Sequence, residues 1–201
     1  MANTAKFKRR EVLEKATRLF WQKGFHATST RDIQQAIDMR PGSIYAAFGS
    51  KAGLFREVLR FYAADMSEQL AQSLATEDTI VGGLQAFFRR VLLKGGKDAP
   101  SELCLLAKSL SELDEEEGEL LRETRALLAG TEAEFRSLVE AAIARGELPA
   151  RTGAALLARQ LQIQLIGLRS YLRATGDRAA VGEIVEHLFD GSMAGTPGGR
   201  S

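Results

Sequence analysis

The sequence predicts an all-α protein of about nine helices: an N-terminal three-helix head with a helix-turn-helix, followed by a larger helical domain. Three observations carry this. Apolar residues recur at three- and four-residue spacing through almost every segment. The breaks between segments hold a glycine stop or a Ser/Asp cap. Two consecutive segments are only about two turns long and are joined by a tight turn, the signature of a helix-turn-helix.

The first helix is expected from near Lys6, with Val12, Leu13, Ala16, Leu19 and Phe20 on one face. Gly24 is placed as a left-handed stop, with Phe25 making a hydrophobic contact just beyond it. Ser29, with Asp32 three residues on, caps a short second helix that turns Ile33, Ala36 and Ile37 inward. Asp38 stands where the chain turns sharply, and Asp tolerates a left-handed backbone better than most residues. Pro41 then fits the first turn of a third helix, where its missing N–H costs nothing. Gly49-Ser50 ends that helix, and Ser50 caps a longer fourth one carrying Leu54, Phe55, Val58, Leu59 and Tyr62.

Beyond residue 65 the helices lengthen. Ile80, Leu84, Phe87, Phe88 and Val91 mark one that Gly95-Gly96 should end, and Ser101 is expected to start the next, with Leu105, Leu106, Leu110 and Leu113. Asp114 and Glu117 read as the cap of a long helix that Gly146 ends, the acidic run 114–117 favouring its N-terminus through the helix dipole. Two further helices are expected at roughly 152–175 and 177–190. The tail 191–201 has turn composition without periodicity and is expected to be disordered. The domain boundaries drawn on this basis are 1–50 for the head, 51–190 for the second domain, with the helix at about 51–75 as the bridge, and 191–201 for the tail.

A content of 45% hydrophobic and 26% charged residues is ordinary for a globular protein. No apolar run approaches membrane-spanning length and no signal-peptide core follows the basic N-terminus, so a cytoplasmic location without a membrane partner is expected. The single cysteine, Cys104, excludes an intramolecular disulfide. The two histidines, His26 and His187, are far apart and no Cys/His cluster has metal-site spacing. With no phosphate-binding glycine loop and no nucleophile motif, neither a cofactor, a metal nor a catalytic residue is expected, and the chain does not read as an enzyme.

The overall charge of +1 hides an asymmetry. Residues 1–62 hold twelve Lys/Arg against five Asp/Glu, a net of +7, while the remainder carries −6. A basic end on a neutral chain is the footprint of a polyanion-binding head. The third helix supports this, because Pro41-Gly-Ser-Ile-Tyr-Ala-Ala-Phe48 is too bare to build a core. A major groove about 12 Å wide admits a helix but penalises bulk, so small side chains bring its backbone close to the bases. Ile44 and Phe48 are the inward anchors. Gly42 and Ser43 offer backbone N–H groups to a phosphate, Tyr45 offers a rigid ring with a hydroxyl tip, and Arg40 can read guanine or hold a phosphate. Pro41 and Ala46 complete that surface, while Thr28, Thr30, Arg31 and Lys51 flank it.

Residues 9–62 resemble the DNA-binding domain of the TetR family of bacterial transcriptional regulators. The resemblance rests on Ala16, Leu19-Phe20, Gly24-Phe25, Thr28-Ser29-Thr30, Ile33 and Ala36, then Gly42-Ser43-Ile44-Tyr45, Phe48-Gly49-Ser50-Lys51 and Leu54. Asp38 stands for a common Gly, Arg40-Pro41 for a common Ser-Lys, and Ala47 for a frequent His. The resemblance implies a second domain that binds an effector and dimerises. Leu161, Leu165, Leu168 and Leu172 on one helix, with Val181, Ile184, Val185, Leu188 and Phe189 on the next, are the expected dimer face. Two heads about 34–36 Å apart would then meet successive major grooves of a palindromic double-stranded operator.

Candidate effector-lining residues are Phe87, Phe88, Cys104, Lys108, Leu128, Phe135, Gln164 and Tyr171. Cys104 is also the candidate redox sensor, since a thiol in the first turn of a helix is activated by the dipole. The run Cys104-Leu-Leu loosely resembles a subgroup of the family with Gly-Cys-Leu-Leu at this position, some of whose members sense electrophiles or oxidants. Here Leu103 replaces the Gly, and Lys108 replaces a common Asn. The expected function is a homodimeric repressor released from its operator by a small molecule, electrophile or oxidant. The alternative is an architectural or recruitment DNA-binding protein that senses nothing.

Overall fold

A computed structural model describes residues 2–94 and 103–190 of the chain. The expected tail, the Gly95-Gly96 stop and the Ser101 cap lie outside the described residues. Nine α-helices are found among the described residues: α1 (Ala2–Lys23), α2 (Thr30–Ile37), α3 (Pro41–Phe48), α4 (Lys51–Ala75), α5 (Ile80–Arg89), α6 (Leu105–Glu112), α7 (Gly118–Ala144), α8 (Ala154–Thr175) and α9 (Arg178–Phe189). A π-helical stretch, Arg90–Lys94, follows α5.

The helices divide into two units, Met1–Asp65 with Ala99–Leu128, and Met66–Asp98 with Ala129–Ser201. This differs from the expected boundary at residue 50. The helix α6 and the first turns of α7 group with the head because their side chains pair with α1 and α4.

In the first unit, Ala16 and Phe20 of α1, Ile33 and Ile37 of α2, Ile44 of α3, and Leu54, Phe55 and Val58 of α4 are buried together. The rings of Phe20, Phe25 and Phe55 form its aromatic centre, with Phe55 4.8 Å from Phe20 and 4.9 Å from Phe25. Arg56 pairs with Glu119 (2.5 Å), and one turn on Arg60 Nε meets Glu123 (2.6 Å), so α4 and the start of α7 are joined by a two-rung ladder. The breaks are local: Gly24 and Gly49 take φ of 89° and 75°, and α1 begins four residues earlier than expected. At Gly53 the helices α3 and α4 approach so closely that a Cβ would fall on the carbonyl oxygen of Phe48.

In the second unit, one face of α8 (Leu157, Ala158, Leu161, Leu165, Leu168 and Leu172) packs into a core with α5, α7 and α9. Gly176, left-handed, closes α8 by donating its N–H to Leu172 O, and the Asp177 side chain caps α9 at the Ala180 N–H (2.9 Å). Glu186 of α9 accepts from Gln85 (2.9 Å) and pairs with Arg89, both on α5.

Candidate nucleic-acid interface

Both short helices of the head are set by their ends. Ser29 and Asp32 cap α2 reciprocally: Ser29 Oγ accepts from the Asp32 N–H (3.1 Å), and the Asp32 carboxylate accepts from the Ser29 N–H (2.8 Å). Lys23, the last residue of α1, donates to Asp32 Oδ1 at 2.5 Å. That hydrogen bond above all, helped by the Ser29 hydroxyl and N–H, holds the Asp32 carboxyl well below the usual carboxylate range. Asp38 closes α2 with φ 52°, and Arg40 then begins α3 in an extended conformation with Pro41 in the first turn. Arg40 makes no side-chain capping bond, so its exposed guanidinium is not spent on the helix end.

The helix α3 presents two different sides. Ile44 is 2% exposed, while Tyr45 is 49% exposed. Gly42, Ser43, Ala46 and Ala47 are exposed as well, and a Cβ on Gly42 would meet nothing within 4 Å. The backbone N–H of Ser43 donates to Arg40 O (3.0 Å), as does that of Ile44 (3.2 Å), so Ser43 offers its hydroxyl rather than the N–H expected of it. Gly42, Ser43 and Ala46 give the exposed side of α3 little bulk, with Arg40 and Tyr45 exposed beside them and Arg31 exposed on α2.

The flanking residues divide. Thr28 is fully buried and its hydroxyl donates to Gly24 O (2.6 Å), so it caps the end of α1 and does not face outward; this corrects its expected place on the interface. Thr30 is half-buried. Lys51 begins α4, three residues beyond the end of α3, but rests its ammonium 4.5 Å from the centre of the Phe25 ring. Burial pushes its pKa down, against the pull of Glu117 and Asp32. Sequence reasoning missed Arg9, whose guanidinium covers the Phe48 ring at 5.1 Å and pairs with Glu57 (2.9 Å). The only sequence signal for it was the basic balance of the N-terminus, since its neighbours lie 39 and 48 positions away.

The candidate effector residues are divided between the two units. Phe87, Phe88 and Phe135 pack against one another with centroids 6.2–6.3 Å apart, all at most 2% exposed, and Phe88 also meets Phe189 (5.3 Å). They are core, and Gln164 and Tyr171 of the same unit are exposed. Cys104, Lys108 and Leu128 belong to the other unit. Cys104 is the N-cap residue of α6, one position before the first turn where it was expected, and is half-buried. Lys108 donates to the carbonyls of Trp21 (2.9 Å) and Gln22 (3.1 Å) at the end of α1, which occupies it structurally.

The expected dimer face also needs correction. Leu161, Leu165, Leu168, Leu172, Val181, Val185 and Phe189 are buried within the chain's own core, and Leu188 is half-buried against it. Of the expected set only Ile184 (41%) is exposed; the other large apolar side chains left open on α8 are Leu156 (60%), Ile163 (62%) and Tyr171 (43%).

Comparison with known proteins is consistent across both units. Residues 12–58 match the family described as bacterial regulatory proteins, tetR family, and residues 81–188 match the tetracyclin repressor-like C-terminal domain. The HTH-type transcriptional repressor ComR of Escherichia coli is 29% identical over 164 residues, 81% of this chain and 78% of that protein. The repressor BdcR of the same organism is 37% identical over 95 residues, 45% of this chain and 48% of its own. Among solved structures, a cysteine mutant of the TetR-family regulator CifR bound to 26-bp operator DNA superposes with a TM-score of 0.82 at 27% identity, covering 92% of this chain and 96% of its own. A TetR-family regulator from Cytophaga hutchinsonii shares the fold with a TM-score of 0.82 at 19% identity, covering 94% of each chain.

Proposed function

Because the chain belongs to the TetR family of bacterial regulatory proteins and is a DNA-binding transcriptional regulator, we propose that it acts in the cytoplasm as a homodimeric repressor, without catalysing a reaction, and leaves a palindromic operator when an effector binds. The observation that carries the DNA-binding part is α3 itself. It is a two-turn helix fastened by buried Ile44, with Tyr45 and the small residues 42, 43, 46 and 47 turned outward. Such a surface lets the backbone approach base edges, while Arg31 and Arg40 supply charge for phosphates.

The dimer reading moves from the buried leucines to the exposed ones. Leu156 and Ile163 are seven residues apart on α8, hence on one helical face, and Ile184 offers a further apolar surface on α9. A second copy of the chain covering that face gives each operator half-site one head. The repressor sense rests on the relatives, which are named as repressors. The effector is a small molecule, or an electrophile or oxidant acting at Cys104, which is half-buried and makes no capping bond that would spend its sulfur.

The test starts with the full chain and a pool of random-sequence duplexes. Selection is expected to return a palindrome, bound with a log–log salt slope of roughly −7 if each head neutralises about four phosphates. Tyr45→Ala should weaken that binding tenfold or more without changing the unfolding midpoint, since Tyr45 is 49% exposed. Selection that returns no preferred sequence would sink the operator reading. An oxidant or electrophile response that survives Cys104→Ser would remove the thiol from it.

A further inference from the structure

We propose that Lys108 and Glu112, which stand on α6 and not on the exposed side of α3, are positioning residues for operator binding: they latch α6 onto the end of α1 and thereby set the corner on which α2 and α3 are built. The inference rests on the DNA-binding reading above.

The latch has two poles. Lys108 donates from one ammonium to the carbonyls of Trp21 and Gln22, both in the last turn of α1, which stops at Lys23. A cation there also complements the negative end of the helix dipole. Glu112, one turn on, accepts from the Phe25 N–H at 2.6 Å, the first N–H beyond left-handed Gly24. The side chains are only 18% and 24% exposed and stand 3.8 Å apart, so each offsets the other's charge away from bulk water. A Cβ on Gly24 would fall on the Glu112 carboxylate, so this approach needs the glycine for space as well as for its positive φ. Trp21 Nε1 donates to Leu103 O (2.6 Å), and His26 Nε2 meets Glu112 O (2.9 Å), extending the seam at either end.

The polarity makes the seam specific for one register. Cation meets carbonyls and anion meets an N–H; sliding α6 by one turn would bring either Glu112 to the carbonyls or Lys108 to the N–H, a mismatch in either direction. What the latch holds is Phe25. Its N–H is on Glu112, its ring packs on Phe55 (4.9 Å), and the Lys51 ammonium stands 4.5 Å from the centre of that ring. Lys51 follows α3 by three residues, so a contiguous chain of contacts runs from α6 through Phe25 to the flank of the DNA-facing helix.

The test compares the full-length chain with Lys108→Met, Glu112→Gln, Lys108→Arg and the double variant Lys108→Met/Glu112→Gln, on the duplex selected by the wild type and on a scrambled duplex. Positioning predicts that Lys108→Met and the double variant lose tenfold or more affinity for the selected duplex. Affinity for the scrambled duplex and the salt slope should be unchanged, because no phosphate contact is lost. Lys108→Arg, which can still donate to both carbonyls, should restore most of the loss. A role in folding alone would lower the active fraction and leave the ratio of the two affinities untouched, and that result would overturn the proposal. Should the double variant not fold, Lys108→Met, with similar volume and no charge, carries the comparison. A wild type that distinguishes no duplex from the scrambled one would instead refute the DNA-binding reading, so the two failures are distinguishable.

Discussion

Replacing Gly53 by alanine tests the packing that aims α3. A Cβ at this position would overlap the carbonyl oxygen of Phe48, the last residue of α3. The obstacle is backbone, so no rotamer change relieves it; α3 has to retreat from α4 by about 1 Å to restore an ordinary contact distance. Overpacking of this kind costs about 1–3 kcal/mol. The gain from removing a glycine from a helix returns about 0.5–1 kcal/mol. The expected net is therefore about 0–2.5 kcal/mol of destabilisation, read as a lower urea midpoint, together with loss of affinity for the selected duplex because the exposed face of α3 is displaced. Gly42→Ala is the matched control. Nothing lies within 4 Å of its Cβ, so the midpoint should stay or rise, while affinity falls because the methyl group fills the space needed for close approach to the bases. If Gly53→Ala kept both its midpoint and its affinity, the close approach of α3 and α4 would not be what orients the recognition surface.

The remaining predictions concern acid sensitivity and assembly. The hydrogen bond from Arg60 holds the Glu123 carboxyl below its ordinary value of 4.5. A carboxylate lowered by folding contributes stability above its unfolded pKa, and that contribution is lost as pH falls through the folded one. Arg60→Met should therefore flatten the decline in urea midpoint between about pH 5 and pH 3, and an equally steep decline would assign the sensitivity elsewhere. Ile163→Asp, at a site 62% exposed, should yield a folded chain that sediments as a monomer and binds a half-site only. By contrast Leu161→Asp, fully buried, should prevent folding, which circular dichroism reads directly. An Ile163→Asp chain that stays dimeric would move the interface off this face.

The head was legible because its signals are local. Caps, stops and turns act over three or four residues, so Ser29 with Asp32, Asp38, Pro41 and Gly24 could be read one after another and stand where the spacing placed them. Ile44 inward and Tyr45 outward follow from the same short-range periodicity. Thr28 was misread because residue type says only that a hydroxyl wants a partner. Whether water, a phosphate or the carbonyl of Gly24 satisfies it is a matter of burial.

The second domain exposes the limit of periodicity. On α8, Leu156, Leu157, Leu161, Ile163 and Leu165 are equally apolar, and a helix that is apolar on more than one side does not say which side meets its own core. Packing against α5, α7 and α9 took the face of Leu157, Leu161 and Leu165, and left Leu156 and Ile163 in the open. In the same way Lys108 carried no sign that its partners lay 86 and 87 residues away, and Phe87, Phe88 and Phe135 none that they would close on one another. Short-range signals were enough to place the helices, most of their ends and the bare surface of α3, because the forces involved reach one turn of helix. Which apolar face is interior, which charge is paired and which glycine admits a neighbour were decided by tertiary structure, because each depends on atoms that only folding brings within contact distance.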